Sequence, residues 1–291
     1  MAQLHVSTGG GLGNRLLSVI SGIRLFDAGK FDSFSFSWRP SPECNCGWDA
    51  LFAPSPYLTN TDISGIVYPP GHTSLGICVA PDHNAHIQTH GIILPPDEHD
   101  KWGSRLENWA LPAALRRQLH ESSKQLVPVN RVRRALSSLD LHPKTRDGLH
   151  IRRTDILLAK LGNHAQDRYC EMNAALLAWL EGELSDRTRT FFVAAEDGEL
   201  ERIISDRFGG QIRVFPKTAL PHLANGNVYR SETATTEALV DLLALSKTAR
   251  IYADTWSSFS IVAQIFGNVP AIHRLNGLGN ATDPPRPTSP C

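Results

Sequence analysis

The second half of the chain alternates short apolar stretches with longer segments in which apolar residues recur at helical spacing. The clearest strand, from Thr190 to Ala195, precedes a helix from Gly198 to Phe208 and a strand from Ile212 to Phe215. Further strands are predicted at 149–151 and at 250–253, the latter as the last strand of the chain, and further helices at 167–184, 233–247 and 261–266. Strands that alternate with helices of this length predict an α/β fold with a doubly wound parallel sheet.

The N-terminus shows the same strand-to-helix order around a glycine-rich turn. A strand candidate from Leu4 to Ser7 leads into Gly9 to Gly13, and apolar residues then recur at helical spacing up to Phe26. Such a turn lets backbone N–H groups approach a phosphate or a sugar. The hypothesis of a dinucleotide-binding site is less favoured. The dinucleotide-binding motif has an acidic residue at the end of the second strand, whereas Asp32 comes before the second predicted strand. A purely structural tight turn is the other alternative.

The length of 291 residues allows two domains of ordinary size. Residues 40–96 are rich in Pro, Gly, His, Asn and Asp, which predicts short strands and long loops. Two helices are predicted between 101 and 139, separated at Val127 and Pro128, and 141–144 reads as a linker. We therefore expect domains at 1–142 and 143–279, followed by a flexible, proline-rich tail at 280–291.

Charge and composition exclude several partners. The chain carries 29 basic and 29 acidic side chains, which argues against nucleic-acid binding through a broad basic face. No apolar run reaches the roughly 18 residues that a membrane span needs, and no secretory signal is visible. The five cysteines are an odd number without a strong metal-ligand pattern, so we expect reduced thiols, no metal site and a cytoplasmic protein. The cysteines are Cys44, Cys46, Cys78, Cys170 and Cys291.

Polar clusters follow three of the predicted strands. They contain adjacent arginines in the first cluster, adjacent carboxylates in the second, and hydroxyls before a helix in the third. In open α/β sheets, ligands bind beyond the carboxyl ends of the strands. Arginine forks match phosphate oxygens in pairs, and N–H groups at a helix start bind anions. A nucleoside-diphosphate site is therefore expected. Its residues are His150, Arg152, Arg153 and Asp155; Glu196 and Asp197; and Asp254, Thr255, Ser257 and Ser258.

Three motifs resemble those of the fucosyltransferase superfamily, which includes alpha-1,6-fucosyltransferases, bacterial nodulation enzymes and protein O-fucosyltransferases. The segment from Gly10 to Leu16 looks like the glycine-rich opening loop of that family. His150 to Asp155 is similar to the His-Val-Arg-Arg-Thr-Asp motif of the alpha-1,6 branch. The segment from Ala238 to Leu242, followed by Thr255 to Ser258, resembles the C-terminal helix and serine loop. The similarity covers most of residues 145–270 together with the opening loop.

The resemblance implies a GT-B-like fold, in which two Rossmann-like halves face a cleft. It also implies a bacterial-type, inverting, metal-independent enzyme that transfers fucose from GDP-fucose to a glycan or glycoconjugate acceptor. The catalytic residues would be Arg152, Asp155 and Asn14. The implied nucleotide-sugar site comprises Gly11, Gly13, Asn14, Arg15, His150, Arg152, Arg153, Glu196, Asp197, Asp241, Thr255, Ser257, Ser258 and Phe259. In it, Arg152 would hold the β-phosphate, and Asp241 would recognise the guanine or the ribose.

One departure concerns the general base. The mammalian alpha-1,6 enzymes carry a Lys and then a Glu after the shared motif, and the corresponding positions here are Ile156 and Lys160. Either Asp155, Glu43 or Asp49 takes the role of base, or departure of the leaving group drives the reaction with weak base assistance. A non-catalytic binding protein of the same fold, or a transferase using another nucleotide sugar, remains an alternative.

Overall fold

Two larger parallel β-sheets, one in each half of the chain, organise this computed structural model. It describes residues 2–55, 58–61, 78–79, 85–89, 91–107, 110–142, 144–152, 165–218, 222–224, 227–253 and 257–275. In each sheet the strands run in the same direction, so the carboxyl ends of neighbouring strands share one edge. That edge is where the polar residues of the site collect.

The first sheet has four strands in the order β3–β2–β1–β5, with all neighbours parallel. Apolar side chains of β1 and α1 are fully buried against each other, among them Val6, Leu16 and Ile20. Burial of one such side chain contributes about 1.5–3 kcal/mol. The elements are β1 (Gln3–Thr8), α1 (Leu12–Asp27), β2 (Ser33–Ser37), β3 (Thr59–Asn60), β4 (Cys78–Val79), β5 (Ala85–Thr89), β6 (Ile93–Leu94), α2 (Pro96–Glu107), α3 (Ala113–Ser123) and α4 (Asn130–Ser138).

The second sheet has five parallel strands in the order β13–β12–β7–β8–β9. All five residues of β7 and of β8 are buried, as expected for strands covered on both faces. The elements are β7 (Asp147–Ile151), α5 (Ala165–Glu183), β8 (Phe191–Ala195), α6 (Gly198–Phe208), β9 (Ile212–Val214), β10 (His222–Ala224), β11 (Asn227–Tyr229), α7 (Glu232–Ser246), β12 (Ile251–Ala253), α8 (Ser258–Gly267) and β13 (Ile272–Arg274).

Helices α1, α7 and α8 join the two halves. Each of them packs against the other two, and one continuous apolar core includes Leu16 of α1, Leu242 of α7 and Val262 of α8. This packing brings the start of α1 against the start of α8. The cleft between the sheets is therefore closed at its base by helix ends.

Most predicted elements are confirmed, and the doubly wound parallel sheet is present. Helix α6 has the predicted bounds, and the break between α3 and α4 falls at Val127 and Pro128 as expected. Two predictions are wrong: the strand at 250–253 is not the last, because β13 follows it, and α8 begins at Ser258 rather than at Ile261. Strand β13 contains only half-buried and exposed residues, so its sequence has no apolar pattern that would predict a strand.

The expectation that all cysteines are reduced needs a correction. Cys44 and Cys46 are free and buried, but Cys170 is disulfide-bonded. Burial raises the pKa of the Cys44 thiol to about 11, so that thiol is protonated at neutral pH. Among the described helices, none combines the length and the apolarity that a membrane crossing requires.

Candidate functional site

A cavity of about 310 Å³ lies between the carboxyl edge of the second sheet and the start of α1. Residues that follow four neighbouring strands reach it: Arg152 follows β7, Glu196 follows β8, Lys217 lies beyond β9, and Ser257 comes after β12. Because parallel strands end at the same edge, the topology alone brings these side chains together. Of the predicted site residues, Gly11, Gly13, Asn14, His150, Arg152, Glu196, Asp241, Ser257, Ser258 and Phe259 line the cavity.

The first end of the cavity is built from two helix N-termini. Helix α1 begins after Gly11, where no side chain caps the helix, and α8 begins after Ser257, whose Oγ accepts a hydrogen bond from the Phe259 N–H. Gly10 turns the chain into α1 with a φ of 70°, which favours glycine. Free N–H groups and the partial positive charge of both helices make this end suited to an anion. We call it the anion end.

Gly13 permits the two helix starts to meet. A Cβ atom on Gly13 would lie 2.6 Å from the Phe259 nitrogen and 2.8 Å from the Ser258 carbonyl carbon. Both contacts are to backbone atoms, so a side chain cannot swing away to relieve them. Glycine at this position therefore sets the spacing of the anion end.

Gly13→Ala is expected to lower the free energy of unfolding by about 1–3 kcal/mol through overpacking. This clash outweighs the helix propensity of alanine, which favours it over glycine by about 1 kcal/mol. Chemical denaturation measures the effect. Gly11→Ala is the matched control, because the nearest atom to its added Cβ is the Glu43 carbonyl oxygen at 3.9 Å. Equal stability of the two variants would contradict the close approach.

Arg152 and His150 form the wall beside the anion end. Arg152 Nη1 donates to Ser257 Oγ over 3.3 Å, which turns the guanidinium toward the start of α8. His150 is buried: its ring stacks on Phe259 with centroids 4.9 Å apart, and its Nδ1 lies 2.7 Å from Ser260 Oγ. His150 therefore packs this side of the cavity against α8, and Arg152 supplies its positive charge.

The opposite end of the cavity holds a buried group of charges, which we call the base end. Lys217 Nζ pairs with Asp241 Oδ2 at 2.9 Å and with Glu201 Oε1. Asp241 Oδ1 and Thr235 Oγ1 are buried without a hydrogen-bond partner among the described residues. An unsatisfied buried acceptor costs about 1–3 kcal/mol, so a ligand that donates there would be stabilised. Small side chains leave room beside these groups, namely Ala194, Ala195, Ala234 and Ala238.

Burial raises the pKa of Asp241 to about 7. The Lys217 ammonium opposes this shift, whereas the charges of Glu201 and Glu237 add to it. Burial likewise raises the pKa of Glu201, despite the ammonium beside it. The base end therefore changes its protonation near neutral pH.

Glu196 and Asp197 are neighbours with different surroundings. Glu196 lines the cavity, where Oε1 pairs with Arg230 and Oε2 is buried without a described partner. Asp197 does not line the cavity: its Oδ1 accepts from the N–H groups of Glu199 and Leu200 and caps α6. Its position before Gly-Glu-Leu is the usual sequence signal for such a cap.

Arg15 is also placed away from the cavity. Its side chain is 2% exposed, lies over the Trp38 ring, and donates to the Gly10 carbonyl at 2.8 Å and to Ser41 Oγ at 2.8 Å. A third hydrogen bond goes to the Arg39 carbonyl. Arg15 thus holds the opening loop to the segment after β2, and a direct contact with a ligand is not available to it in this arrangement.

Sequence reasoning did not include Lys217, Arg230 or Thr235 in the site. These three residues belong to none of the recognised motifs, and the fold brings them to the cavity. Conversely, Arg153, Asp155, Asp254 and Thr255 lie outside the described residues, and their predicted roles stay predictions. Within the described part of the chain, no group of three or more His, Cys, Asp or Glu residues is arranged to hold a metal ion.

Among the described residues, charged side chains of both signs line the cavity in equal number. Arg152, Lys217 and Arg230 are cationic, and Glu43, Glu196 and Asp241 are acidic. Within the described lining, the positive charge at the anion end therefore comes from Arg152 and from the backbone N–H groups of the two helix starts.

Comparison with known proteins gives a match in structure alone. No protein-family model and no curated protein sequence matches the chain. Fucosyltransferase NodZ from Bradyrhizobium superposes with a TM-score of 0.50 and 15% identity, over 95% of this chain and 97% of that chain. NodZ co-crystallized with GDP gives 0.50 and 14%, over 94% of each chain. A variant of Arabidopsis thaliana FUT1 in complex with GDP gives 0.51 and 15%, over 95% of this chain and 71% of that one.

These similarities agree with the architecture seen here, in which two parallel α/β halves face a cavity. They extend over nearly the whole chain, including the middle region that carries no recognisable motif. The chain therefore has the GT-B-like, two-part Rossmann fold of the fucosyltransferases.

Proposed function

We propose that this chain is an inverting, metal-independent glycosyltransferase that transfers fucose from GDP-fucose to a glycan or glycoconjugate acceptor. The observation that carries the proposal is the single cavity with an anion end and a base end. A nucleoside diphosphate needs both, because it joins a charged diphosphate to a planar ring with hydrogen-bonding edges. Solved structures with the same fold contain GDP or were soaked with GDP-fucose. Residues 143–279 would hold most of the donor, and residues 1–142 would add the start of α1 to the diphosphate site and face the acceptor.

The anion end supplies what departure of the diphosphate requires. As the bond between the sugar and the β-phosphate breaks, negative charge builds up on the phosphate oxygens. Arg152 and the N–H groups at the starts of α1 and α8 would stabilise that charge in a preorganised site. Other transferases use a divalent cation for this task. A direct displacement by the acceptor hydroxyl on the opposite face of the sugar inverts the anomeric centre.

The base end would read the nucleobase. Guanine offers an N–H and an exocyclic amine as donors beside a carbonyl acceptor. Asp241 Oδ1 can accept from those donors, and the Lys217 ammonium can donate to the carbonyl. Between the two ends, the free oxygen of Glu196 would accept from a ribose hydroxyl. Ion pairs hold all three side chains before any ligand binds.

GDP affinity is expected to fall by up to about tenfold between pH 8 and pH 6, because the ionised Asp241 carboxylate accepts hydrogen bonds from the guanine donors more strongly than the protonated acid does. With a pKa of about 7, it gains a proton as the pH drops through this range. Calorimetric titration at four pH values measures the change. Asp241→Asn is the control. GDP titrates in the same way with either protein, but the variant has no carboxyl group at position 241 that could titrate. An equal pH dependence in both proteins would contradict the assignment.

The proposal is tested by titrating the protein with GDP, UDP, ADP and NAD in a calorimeter and by following GDP-fucose turnover with and without EDTA. We expect GDP to bind most tightly, NAD not to bind, and turnover to persist in EDTA. Failure of GDP to bind would overturn the nucleotide site. Tighter binding of UDP or ADP would indicate a transferase that uses another nucleotide sugar.

A non-catalytic nucleotide-sugar-binding protein is the second candidate, and Lys160 favours it. This lysine stands where the mammalian alpha-1,6 enzymes carry a glutamate that is proposed as the base. Tight binding of GDP-fucose without transfer to any glycan, and without hydrolysis, would support this alternative.

A further inference from the structure

We propose that Glu43 is the general base of this cavity and that buried Arg15 positions it through Ser41; this inference rests on the proposed transferase function. The sequence leaves Asp155, Glu43 and Asp49 as candidates for the carboxylate that accepts the proton of the acceptor hydroxyl.

Glu43, Glu196 and Asp241 are the carboxylates among the described residues that line the cavity. Glu196 is paired with Arg230, and Asp241 is paired with Lys217 at the base end. Each of these two therefore has a cation held against one oxygen. Glu43 accepts instead from a neutral hydroxyl, Ser41 Oγ, at 2.8 Å, and is only half-buried. Glu43 is therefore the carboxylate of the three that has no ion-pairing cation against it among the described residues.

Glu43 also lies at the required end of the cavity. Its carbonyl oxygen is 3.9 Å from the position that a Cβ on Gly11 would occupy, so its segment borders the start of α1. The diphosphate is expected there, and the sugar is attached to the diphosphate. The segment belongs to the first half of the chain, on the acceptor side, and faces the residues of the donor side across the cavity.

Partly buried hydrogen bonds hold the carboxylate in place. Arg15 Nη2 donates to Ser41 Oγ over 2.8 Å, and that hydroxyl donates in turn to Glu43 Oε2. Backbone hydrogen bonds between Ser41 and Cys44 close the turn that carries Glu43. The whole segment is also fixed to the second half, because the Arg230 N–H donates to the Pro42 carbonyl over 2.8 Å.

The same contacts keep Glu43 ionised. Partial burial alone would raise the pKa of Glu43, but the hydrogen bonds from Ser41 and from its own N–H, together with the charges of Arg15 and Arg230, bring that pKa below its ordinary value. Glu43 is therefore a carboxylate at neutral pH, ready to accept a proton. Asp49, by contrast, is exposed and borders a separate shallow surface groove.

The acceptor oxygen forms a bond to the anomeric carbon while the bond from that carbon to the β-phosphate oxygen breaks. The electron pair of the broken bond leaves with GDP, whose charge Arg152 and the helix starts stabilise. The acceptor proton passes to a Glu43 oxygen. Water can take the place of the acceptor, in which case the products are fucose and GDP.

The test uses GDP-fucose with water or azide as the nucleophile, since azide carries no proton to remove. Glu43→Gln is expected to slow hydrolysis by about 10²-fold or more while GDP affinity changes less than about threefold. Azide should restore turnover of this variant and yield fucosyl azide. Asp49→Asn is the matched control and should hydrolyse like the wild type. Ser41→Ala should shift the acidic limb of the pH–rate profile to higher pH, because Glu43 loses a hydrogen bond to its charged form.

Each other outcome overturns the inference. Hydrolysis by Glu43→Gln at the wild-type rate would remove Glu43 from the reaction. A rate loss that azide rescues in Asp155→Asn, but not in Glu43→Gln, would assign the base to Asp155. Wild-type protein that binds GDP but releases no fucose would show that no carboxylate activates water. Absence of GDP binding would instead overturn the proposed function itself.

Discussion

Arg152→Ala is expected to lower kcat/KM for GDP-fucose hydrolysis by about 10³-fold or more. Arg152 is a cationic side chain beside the two helix starts, where the charge of the departing diphosphate is proposed to develop. Removal of a preorganised donor from such a site costs about 10²–10³-fold, and loss of an arginine that neutralises a transferring phosphate costs more. Steady-state release of GDP measures the effect.

Two further variants separate charge from geometry. Arg152→Lys keeps the positive charge but loses the planar fork, so its activity should lie between those of the wild type and the alanine variant. Arg117→Ala removes an exposed arginine on α3, outside the cavity, and should leave turnover unchanged. Thermal unfolding of all three should match the wild type. Full activity in Arg152→Ala would exclude the anion end as the diphosphate site.

Lys217→Met is expected to lower the free energy of unfolding by about 3–5 kcal/mol at neutral pH. The substitution fills the same space but leaves Glu201 and Asp241 buried without their cation. Removal of one partner from a buried ion pair has a cost of this size, because the remaining charge cannot regain its water. Denaturant titration measures the difference.

The loss should shrink as the pH falls toward 5. Without Lys217, both buried carboxyl groups have folded-state pKa values raised further above those of the unfolded chain, so the folded state binds extra protons as the pH drops. The matched control is Lys124→Met, which breaks an exposed ion pair with Glu121 at 2.6 Å and should cost less than about 1 kcal/mol. A loss in Lys217→Met that does not depend on pH would contradict the buried triad.

The sequence predicts the second sheet well because its elements are strongly patterned. Strand β8 is five buried apolar residues, and α6 starts at an Asp-Gly-Glu-Leu cap and ends before two glycines. Strand β13 is not predicted, because it is a three-residue edge strand of half-buried and exposed residues that pairs with β12 on one side. Its existence depends on a neighbouring strand rather than on its own residues.

The site divides along similar lines. Residues next to strand ends, such as Arg152 and Glu196, are predictable because the topology of parallel sheets fixes where strand ends lie. Lys217 is not, because it lies in a loop and owes its place to two carboxylates distant in sequence. Arg15, by contrast, is predicted to be in the site but lies outside the cavity. The motif identifies the helix start, but it does not tell which side of the helix turns toward the core, where Trp38 and Ser41 receive this arginine.

The balance of charge around the cavity has a kinetic consequence. Three cations and three carboxylates among the described lining residues cancel at a distance, and the whole chain carries a formal net charge of zero. A nucleotide approaching through solvent therefore meets no long-range attraction and is held only after contact. Its association rate constant should stay below the electrostatically steered range of about 10⁸–10⁹ M⁻¹s⁻¹ and respond little to ionic strength. Occupancy of the cavity would then follow the supply of donor rather than the salt content of the surroundings.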